Sequence, residues 1–424
     1  MKNLINRKRL TENFIKFAKF DTGSNPETAE TQIPSTECQS EFADTLVKEL
    51  KELGLSDVCK DEHSFVCGTL PKNSKKDLPV IALFAHMDTN TDVPSGPVYP
   101  QIHNYKDGDI KLKDGIVIPQ SDLKDFKGHT IITSDGTTLL GADDKAGMAE
   151  IIEAVNVLLE NRNIEHPEIQ VVFTPDEETG MGINSFDLNN TNADFAYTLD
   201  GSSPSDIDTE TFNAYNPEIV IEGKVVHCGY AYKKMTNAIS VANEFISKLP
   251  KNETPETTKD KEGYFFVSDI NGNANSVKIK MLVRDFDAEK ELEKIEFLKS
   301  LLSDLEKKYP DAKIQFSPNK RYSNMKEKLE EFPQVIEFAE EGIKRSGIKP
   351  ERMFVRGGTD GSALTLRGLL TPNLGAGGVN FHSKSEFVSV ETMEKCTENI
   401  LNILSVWAEK SEELMNIIKK RRLN

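Results

Sequence analysis

Residues 79–88 read PVIALFAHMD, an apolar run that ends in a histidine and an aspartate. Continuous apolar character over so short a length marks a strand buried on both faces, as in sheets covered by helices. Outward from it the pattern recurs at 169–173 (IQVVF) and 195–199 (FAYTL), with an amphipathic helix expected at 145–159. Short buried strands alternating with helices specify an α/β sheet. After about Phe212 the pattern restarts, with a strand at 218–226, a helix at 230–248, the hydrophilic loop KNETPETTKDKEG, a strand at 276–283 and a charged helix at 288–308. From about Tyr322 the first pattern resumes, through helices near 332–344 and 390–407. The expected fold is α/β: a mixed, largely parallel sheet flanked by helices (residues 1–212 and 322–424) with an inserted α+β module (213–321).

The chain has 424 residues, enough for two to three domains at roughly 150 residues each. Its 52 basic and 69 acidic residues leave a formal net charge of −17, which repels phosphate backbones and anionic membrane surfaces. No nucleic-acid or membrane partner is expected. Apolar stretches run only a few residues, far short of the roughly 20 that cross a bilayer. The opening MKNLINRKRLTENFIKFAKF places Leu4, Leu10, Phe14 and Phe17 at helical spacing among charges. It lacks the apolar centre of a signal peptide and reads as the first helix of a cytoplasmic protein. Five cysteines (Cys38, Cys59, Cys67, Cys228, Cys396) are scattered without a CxxC, so neither a disulfide framework nor a thiolate zinc site is indicated. Any metal must be held by histidine and carboxylate. The C-terminal KKRRLN reads as a solvated helix end.

Five short motifs carry chemistry. In His86-Met87-Asp88, residues two apart on a strand point the same way, so Asp88 reaches the imidazole and fixes its tautomer while the other nitrogen binds a metal. By itself His-x-Asp recurs by chance. GADDKAG at 141–147 is a sharp turn feeding a helix; it lacks the Gly-Lys-Ser/Thr of a phosphate loop, and capping explains its adjacent acids equally well. FTPDEETG at 173–180 puts three consecutive carboxylates where a buried strand emerges. They repel one another unless cations neutralise them, the competing reading being an acidic solvated loop. YTLDG at 197–201 ends another strand in Asp200, and Asn380-Phe381-His382-Ser383 follows a Gly-rich stretch. Together these place two histidines and several acids at the ends of different strands, where open α/β sheets bind ligands. Two zinc ions would be balanced by three ligand carboxylates and one hydroxide, which makes such a buried site tolerable where bare carboxylates are not.

These residues resemble the peptidase T family of tripeptide aminopeptidases, in the co-catalytic zinc exopeptidase superfamily that also holds aminoacylases. The resemblance spans essentially the whole chain and rests on IPSTECQ (33–39), AHMDT (85–89), GADDKAG, FTPDEETG, the His227 segment, RDFD (284–287), RGGTDG (356–361), PNLGAGG (372–378) and NFHSK (380–384). It implies two zinc ions per subunit bridged by Asp143, with His86 and Asp200 completing one site and Glu178 and His382 the other. It implies Glu177 as general base and Asp88 as the acid that orients His86. His227, in a lid and dimerisation module, would reach into the partner subunit's active site to bind the carbonyl oxygen, which makes the enzyme a homodimer. Arg284, Arg356 and Asn380 fall where relatives hold the carboxylate and backbone of a short peptide, and a cis peptide is implied at Asp143-Asp144.

The chain departs from that pattern at two points. His-Pro-Gly is here His227-Cys228-Gly229, and His-Gly-Lys-His-Glu-Phe is His382-Ser383-Lys384-Ser385-Glu386-Phe387. All implied metal ligands are retained, so hydrolysis is the expected reaction. The alternatives are an N-acyl amino acid or dipeptide amidohydrolase of the same superfamily, or a non-catalytic peptide-binding relative. His63, His103, His129 and His166 lack the strand-end context and are expected at the surface.

Overall fold

The computed structural model describes residues 1–422 and divides into two compact units. The larger comprises Met1–Thr209, Glu327–Met353 and the chain from Thr359 onward; the smaller comprises Glu210–Lys326 and Phe354–Gly358. Among the described residues no helix is long and apolar enough to cross a membrane.

The larger unit is organised by eight strands: β1 (Ser56–Lys60), β2 (Val66–Leu70), β3 (Val80–His86), β4 (Glu168–Thr174), β5 (Phe195–Gly201), β6 (Asp206–Thr211), β7 (Glu351–Val355) and β8 (Asn373–Gly375). They lie in the order β1-β2-β4-β3-β5-β8-β6-β7. The four central strands β4, β3, β5 and β8 are parallel, while β1, β2 and β6 pair antiparallel at the flanks. The sheet is thus mixed, and the three apolar runs read from the sequence are three of its four central strands. Six helices matter here: α1 (Arg7–Ala18), α2 (Glu37–Leu53), α3 (Ala142–Glu160), α4 (Gln334–Arg345), α5 (Asp360–Leu366) and α6 (Val390–Lys410). α3 packs on β3 and β5, α6 covers α3 and α4, and α2 packs on the β1–β2 hairpin.

Leu10, Phe14 and Phe17 bury the inner face of α1 as the spacing predicts, but Leu4 stays outside that helix, in a short turn at Lys2–Leu4, and is exposed. Between α4, α6 and β5 the aromatic core closes around Trp407. Its indole stacks on Phe195 at 5.0 Å and meets Phe338 edge-on at 4.8 Å. The indole N–H donates to Tyr197 Oη at 2.9 Å, and that hydroxyl donates to Val335 O at 2.7 Å, so the polar atoms of both large rings are satisfied where they are buried. At the C-terminus α-helix Met415–Arg422 is anchored rather than free: Lys419 pairs with Asp77 and Arg421 donates to Asp194 O. The remainder of the KKRRLN reading, Leu423 and Asn424, lies outside the described residues.

A four-stranded sheet that the sequence did not announce also belongs to the larger unit, in the order Gly378–Val379, Phe387–Ser389, Thr130–Thr133, Gln101–Asn104. Its first two strands are antiparallel, with Val379 opposite Phe387. Residues 380–386 are therefore the loop of a hairpin, and His382 rides on it.

The smaller unit has a six-stranded sheet with helices Ala238–Ser247 and Ala288–Lys308 packed on it. Ile219, Ile221, Phe245, Ile279, Met281 and Leu298 are among its buried core. The helix expected from Tyr230 begins only at Ala238, with Asn237 as its N-cap. The strand expected to continue to Val226 stops at Glu222, and the next residue, Gly223, passes so close to Thr236 that a Cβ there would lie 2.4 Å from its carbonyl oxygen. Tyr264–Gly272, unread in the sequence, is a strand paired with Ser276–Asp285.

Candidate active site

Strand ends deliver the first four groups. β3 ends on His86, β5 carries Asp200 as its penultimate residue, and the turn after β4 carries Glu177 and Glu178. Asp143 enters from the start of α3, whose Asp143-Asp144 peptide is cis. Gly147, one turn into that helix, cannot be replaced: a Cβ would sit 2.1 Å from Leu199 O, so glycine is what lets α3 approach β5. His382 comes from the 380–386 loop with a left-handed backbone (φ 56°).

These groups converge. His86 Nε2 lies 2.8 Å from Asp143 Oδ1 and 3.5 Å from Asp200 Oδ1. His382 Nε2 lies 3.3 Å from Asp143 Oδ2 and 3.1 Å from Glu178 Oε2. The two oxygens of Asp143 therefore face different imidazoles. Two sets of potential ligand atoms lie within 4.8 Å of one another: His86, Asp143 and Glu178, and His86, Asp144 and Asp200. Asp144 enters the second set although its oxygens already accept from His86 N (3.1 Å) and Gly147 N (3.2 Å).

A second tier of carboxylates holds the turns that carry the first. Asp88 accepts from Glu177 N at 3.0 Å and Glu178 N at 3.2 Å, while its own oxygen lies 3.4 Å from His86 Nδ1. That nitrogen is closer to the backbone oxygen of Asp88, at 3.1 Å. Glu386 accepts from Leu140 N, Gly141 N and Asp143 N at 2.7–3.1 Å. Asp176, first of the acidic run, is buried with φ 56° and accepts from Ser35 N (2.6 Å), Ser35 Oγ and Gln39 Nε2 (2.8 Å). Of the three consecutive acids, this one is satisfied by the IPSTECQ segment through hydrogen bonds rather than by a cation. Asp360, at the start of α5, accepts from Thr174 Oγ1 at 2.6 Å. Ser35, Gln39, Asp360 and Glu386 were not singled out from the sequence; each lies far along the chain from the group it serves, so only the motif resemblance could have flagged them.

Electrostatics mark the centre as incomplete without positive charge. Burial, reinforced by Asp143, pushes Asp200 up to about 8, and burial with Asp200 nearby holds Glu177 well above the usual carboxylate range. Burial works to raise Asp143 too, but His382 and His86 on its two sides keep it well below. Asp143 and Glu178 push His382 up to about 11. So many buried acids cannot all ionise unless cations join them. Glu178 Oε1 is buried with no hydrogen-bond partner, an orphaned anionic oxygen of the kind a metal ion satisfies. Imidazole nitrogens with carboxylate oxygens are the donor set of zinc and similar divalent ions. The residues fit such a group.

Asn380 is in the same loop as His382 and donates to Asp122 Oδ2 at 3.1 Å. The other three site candidates lie in the smaller unit. His227 is exposed and caps a short turn, its Nδ1 accepting from Gly229 N at 3.2 Å. Arg284 is buried over Tyr322 and donates to Tyr215 O, Val283 O and Asn216 Oδ1. Arg356, over Phe212 and Tyr264, donates to Asp260 O, Glu262 O and Thr258 Oγ1. Of the four histidines expected at the surface, His63, His103 and His129 are half-buried. His166 is buried just before β4, with Nδ1 2.8 Å from Pro167 O and its backbone N–H donating to Asn73 Oδ1 at 2.9 Å.

Nearly the whole chain is similar to known proteins. The model of peptidase family M20/M25/M40 matches residues 120–405. Peptidase T of Listeria monocytogenes serotype 4a is 42% identical over 95% of this chain and all of its own length. Peptidase T of Geobacillus kaustophilus is 43% identical over 96% of this chain and all of its own. Among solved structures, the aminopeptidase PepT of Bacillus cereus superposes with a TM-score of 0.74 at 26% identity, and a tripeptidase of Staphylococcus aureus with 0.77 at 25%. Each covers 96% of this chain and all of the other. A segment of clustered strand-end acids, a shared fold and full-length similarity above 40% identity lead to one assignment: the chain belongs to peptidase family M20/M25/M40.

Proposed function

We propose that this chain is an aminopeptidase that uses two divalent ions, zinc by its donor set, to release the N-terminal residue of short peptides, tripeptides foremost. The observation that carries this reading is the placement of Asp143, one oxygen toward His86 and the other toward His382. His86, Asp143 and Asp200 would hold one ion, and Asp143, Glu178 and His382 the other. Bound there, the ions supply Lewis acidity, lowering the pKa of water and polarising a peptide carbonyl. Glu177, whose backbone N–H is fixed by Asp88, takes the proton of the attacking water and delivers it to the leaving amine. His227 donates to the oxygen that gains charge, and does so across a homodimer, with the smaller unit as lid. Arg284 and Arg356 each use three of five N–H groups within their own unit, which leaves donors for a peptide carboxylate; Asn380 holds the substrate backbone. The peptidase T, PepT and tripeptidase relatives support the substrate class.

The test is product analysis with the zinc-loaded protein. Free tripeptides should lose their first residue while N-acetylated tripeptides and N-acyl amino acids persist; the opposite selectivity would replace this reading with an N-acyl amidohydrolase. Two zinc equivalents per chain are expected, with activity lost on chelation and restored by metal. Mixing inactive Glu177→Gln and His227→Ala chains should regenerate activity, since a mixed dimer has one site with both groups intact; no recovery would remove His227 from a role across subunits.

A further inference from the structure

Two cysteines that are eight residues apart in sequence face each other across a hairpin. Cys59 on β1 is the register partner of Cys67 on β2. Directly opposed residues of antiparallel strands have Cα atoms about 4.5–5.5 Å apart and side chains on one face. That separation falls inside the range of about 4.4–6.8 Å that a disulfide spans. β1 is the edge of the sheet, so no further strand covers the pair. Both thiols, with Ser56, Asp57, Thr69 and Gln170, line a surface groove of about 360 Å³. Cys59 is exposed, whereas Cys67 is half-buried against the cluster that contains Phe65, Phe84 and Phe186. Cys38, Cys228 and Cys396 lie outside strands and have no such register partner.

We propose that Cys59 and Cys67 form an oxidisable dithiol, which hydrogen peroxide converts to an intramolecular disulfide and a small thiol restores. The asymmetry of the pair sets the order of events. Burial and the neighbouring Cys59 push the Cys67 thiol up to about 12, so it persists as thiol while the accessible Cys59 meets the oxidant. The Cys59 thiolate attacks one peroxide oxygen; the O–O bond breaks and, with a proton, one water leaves, giving a sulfenic acid. The Cys67 sulfur then displaces the sulfenic oxygen, which departs with the Cys67 proton as a second water, and the S–S bond forms. The dithiol loses two electrons and peroxide takes up both. A small thiol reverses the step by exchange, ending as its own disulfide.

The sequence supplies its own assay, because cleavage after Lys51, Lys60 and Lys72 puts Cys59 on peptide 52–60 and Cys67 on peptide 61–72. Peroxide treatment of the full metal-loaded chain should lower its free thiols from five to three, lower its mass by about 2 Da, two hydrogens, and link those two peptides in a non-reducing digest. Dithiothreitol should restore all three readings. Cys59→Ser should abolish the linked pair and leave Cys67 unmodified, and the triple variant Cys38→Ser, Cys228→Ser, Cys396→Ala should still form it. Oxygen addition to Cys59 without the linked pair, or a Cys59 bridge between two chains, would overturn the proposal.

Discussion

The two imidazoles of the site are held in opposite ways. His86 ends a central strand, with 2% of its side chain exposed. Its backbone N–H donates to Asp144, its Nδ1 lies against Asp88, and its Nε2 faces Asp143 and Asp200. His382 hangs from a hairpin loop with 40% of its side chain exposed, a left-handed backbone, and Asp92 3.8 Å from its Nδ1. One half of the site is therefore built into the sheet, and the other is applied to it by a loop. The core half is preorganised by packing that exists for the fold's sake, whereas the loop half is held by hydrogen bonds, from Asn380 to Asp122 and from the 140–143 turn to Glu386. Asp143 and the Asp88-held turn of Glu177 and Glu178 join the two.

That contrast can be broken by experiment. Removing His86 should be the most damaging change: His86→Ala is expected to empty both metal positions and lower turnover by more than about 10³, since metal charge stabilisation is worth several kcal/mol. His382→Ala should retain about one equivalent of zinc by elemental analysis; equal metal content in the two variants would erase the distinction between the halves. Next, Glu177→Gln should lower turnover by about 10² to 10⁴, the usual general-base contribution, with metal content unchanged. A preserved rate would assign the proton transfer elsewhere. Glu386→Gln loosens the turn that aims Asp143 into both halves, and should weaken metal affinity by about 10- to 100-fold in a competition titration with a chelator. Smallest of all, Ser35→Ala removes one hydrogen bond to the Asp176 carboxylate. It should cost about 1.5–3 kcal/mol in denaturant unfolding while both zinc equivalents remain bound.

The strands of the core half were legible in the sequence, and so was His382 as a residue, but the small sheet that carries His382 was not, for physical reasons. Pro79 to His86, 169–173 and 195–199 announce themselves because a strand buried on both faces can only be apolar, and each is ended or closely followed by a histidine or an acid. The sheet that carries His382 escaped notice because its edge strand, Gln101–Asn104, is polar and its other strands are short. Tyr264–Gly272 was missed for a similar reason: Phe266 and Ile270 face outward, so its alternation does not read as a half-buried strand. The helix expected from Tyr230 begins only at Ala238, and Tyr230 and Tyr232 ahead of it are exposed and give no apolar face to bury. In the site, groups that touch the reacting centre sit in compact motifs. Those that hold it, Ser35, Gln39, Asp360 and Glu386, act across more than a hundred residues of chain, and no spacing rule links a carboxylate to a backbone N–H at that distance.

Trp407 is the single tryptophan of the chain, and it is enclosed with Tyr197 and Phe195 against the strand that carries Asp200. Intrinsic indole emission from this protein is consequently a report on one place. A red shift would register solvent reaching the packing behind the metal centre, while loosening confined to the smaller unit would pass dark. Any of the variants above can thus be sorted, without a label, into those that disturb chemistry alone and those that first open the scaffold beneath it.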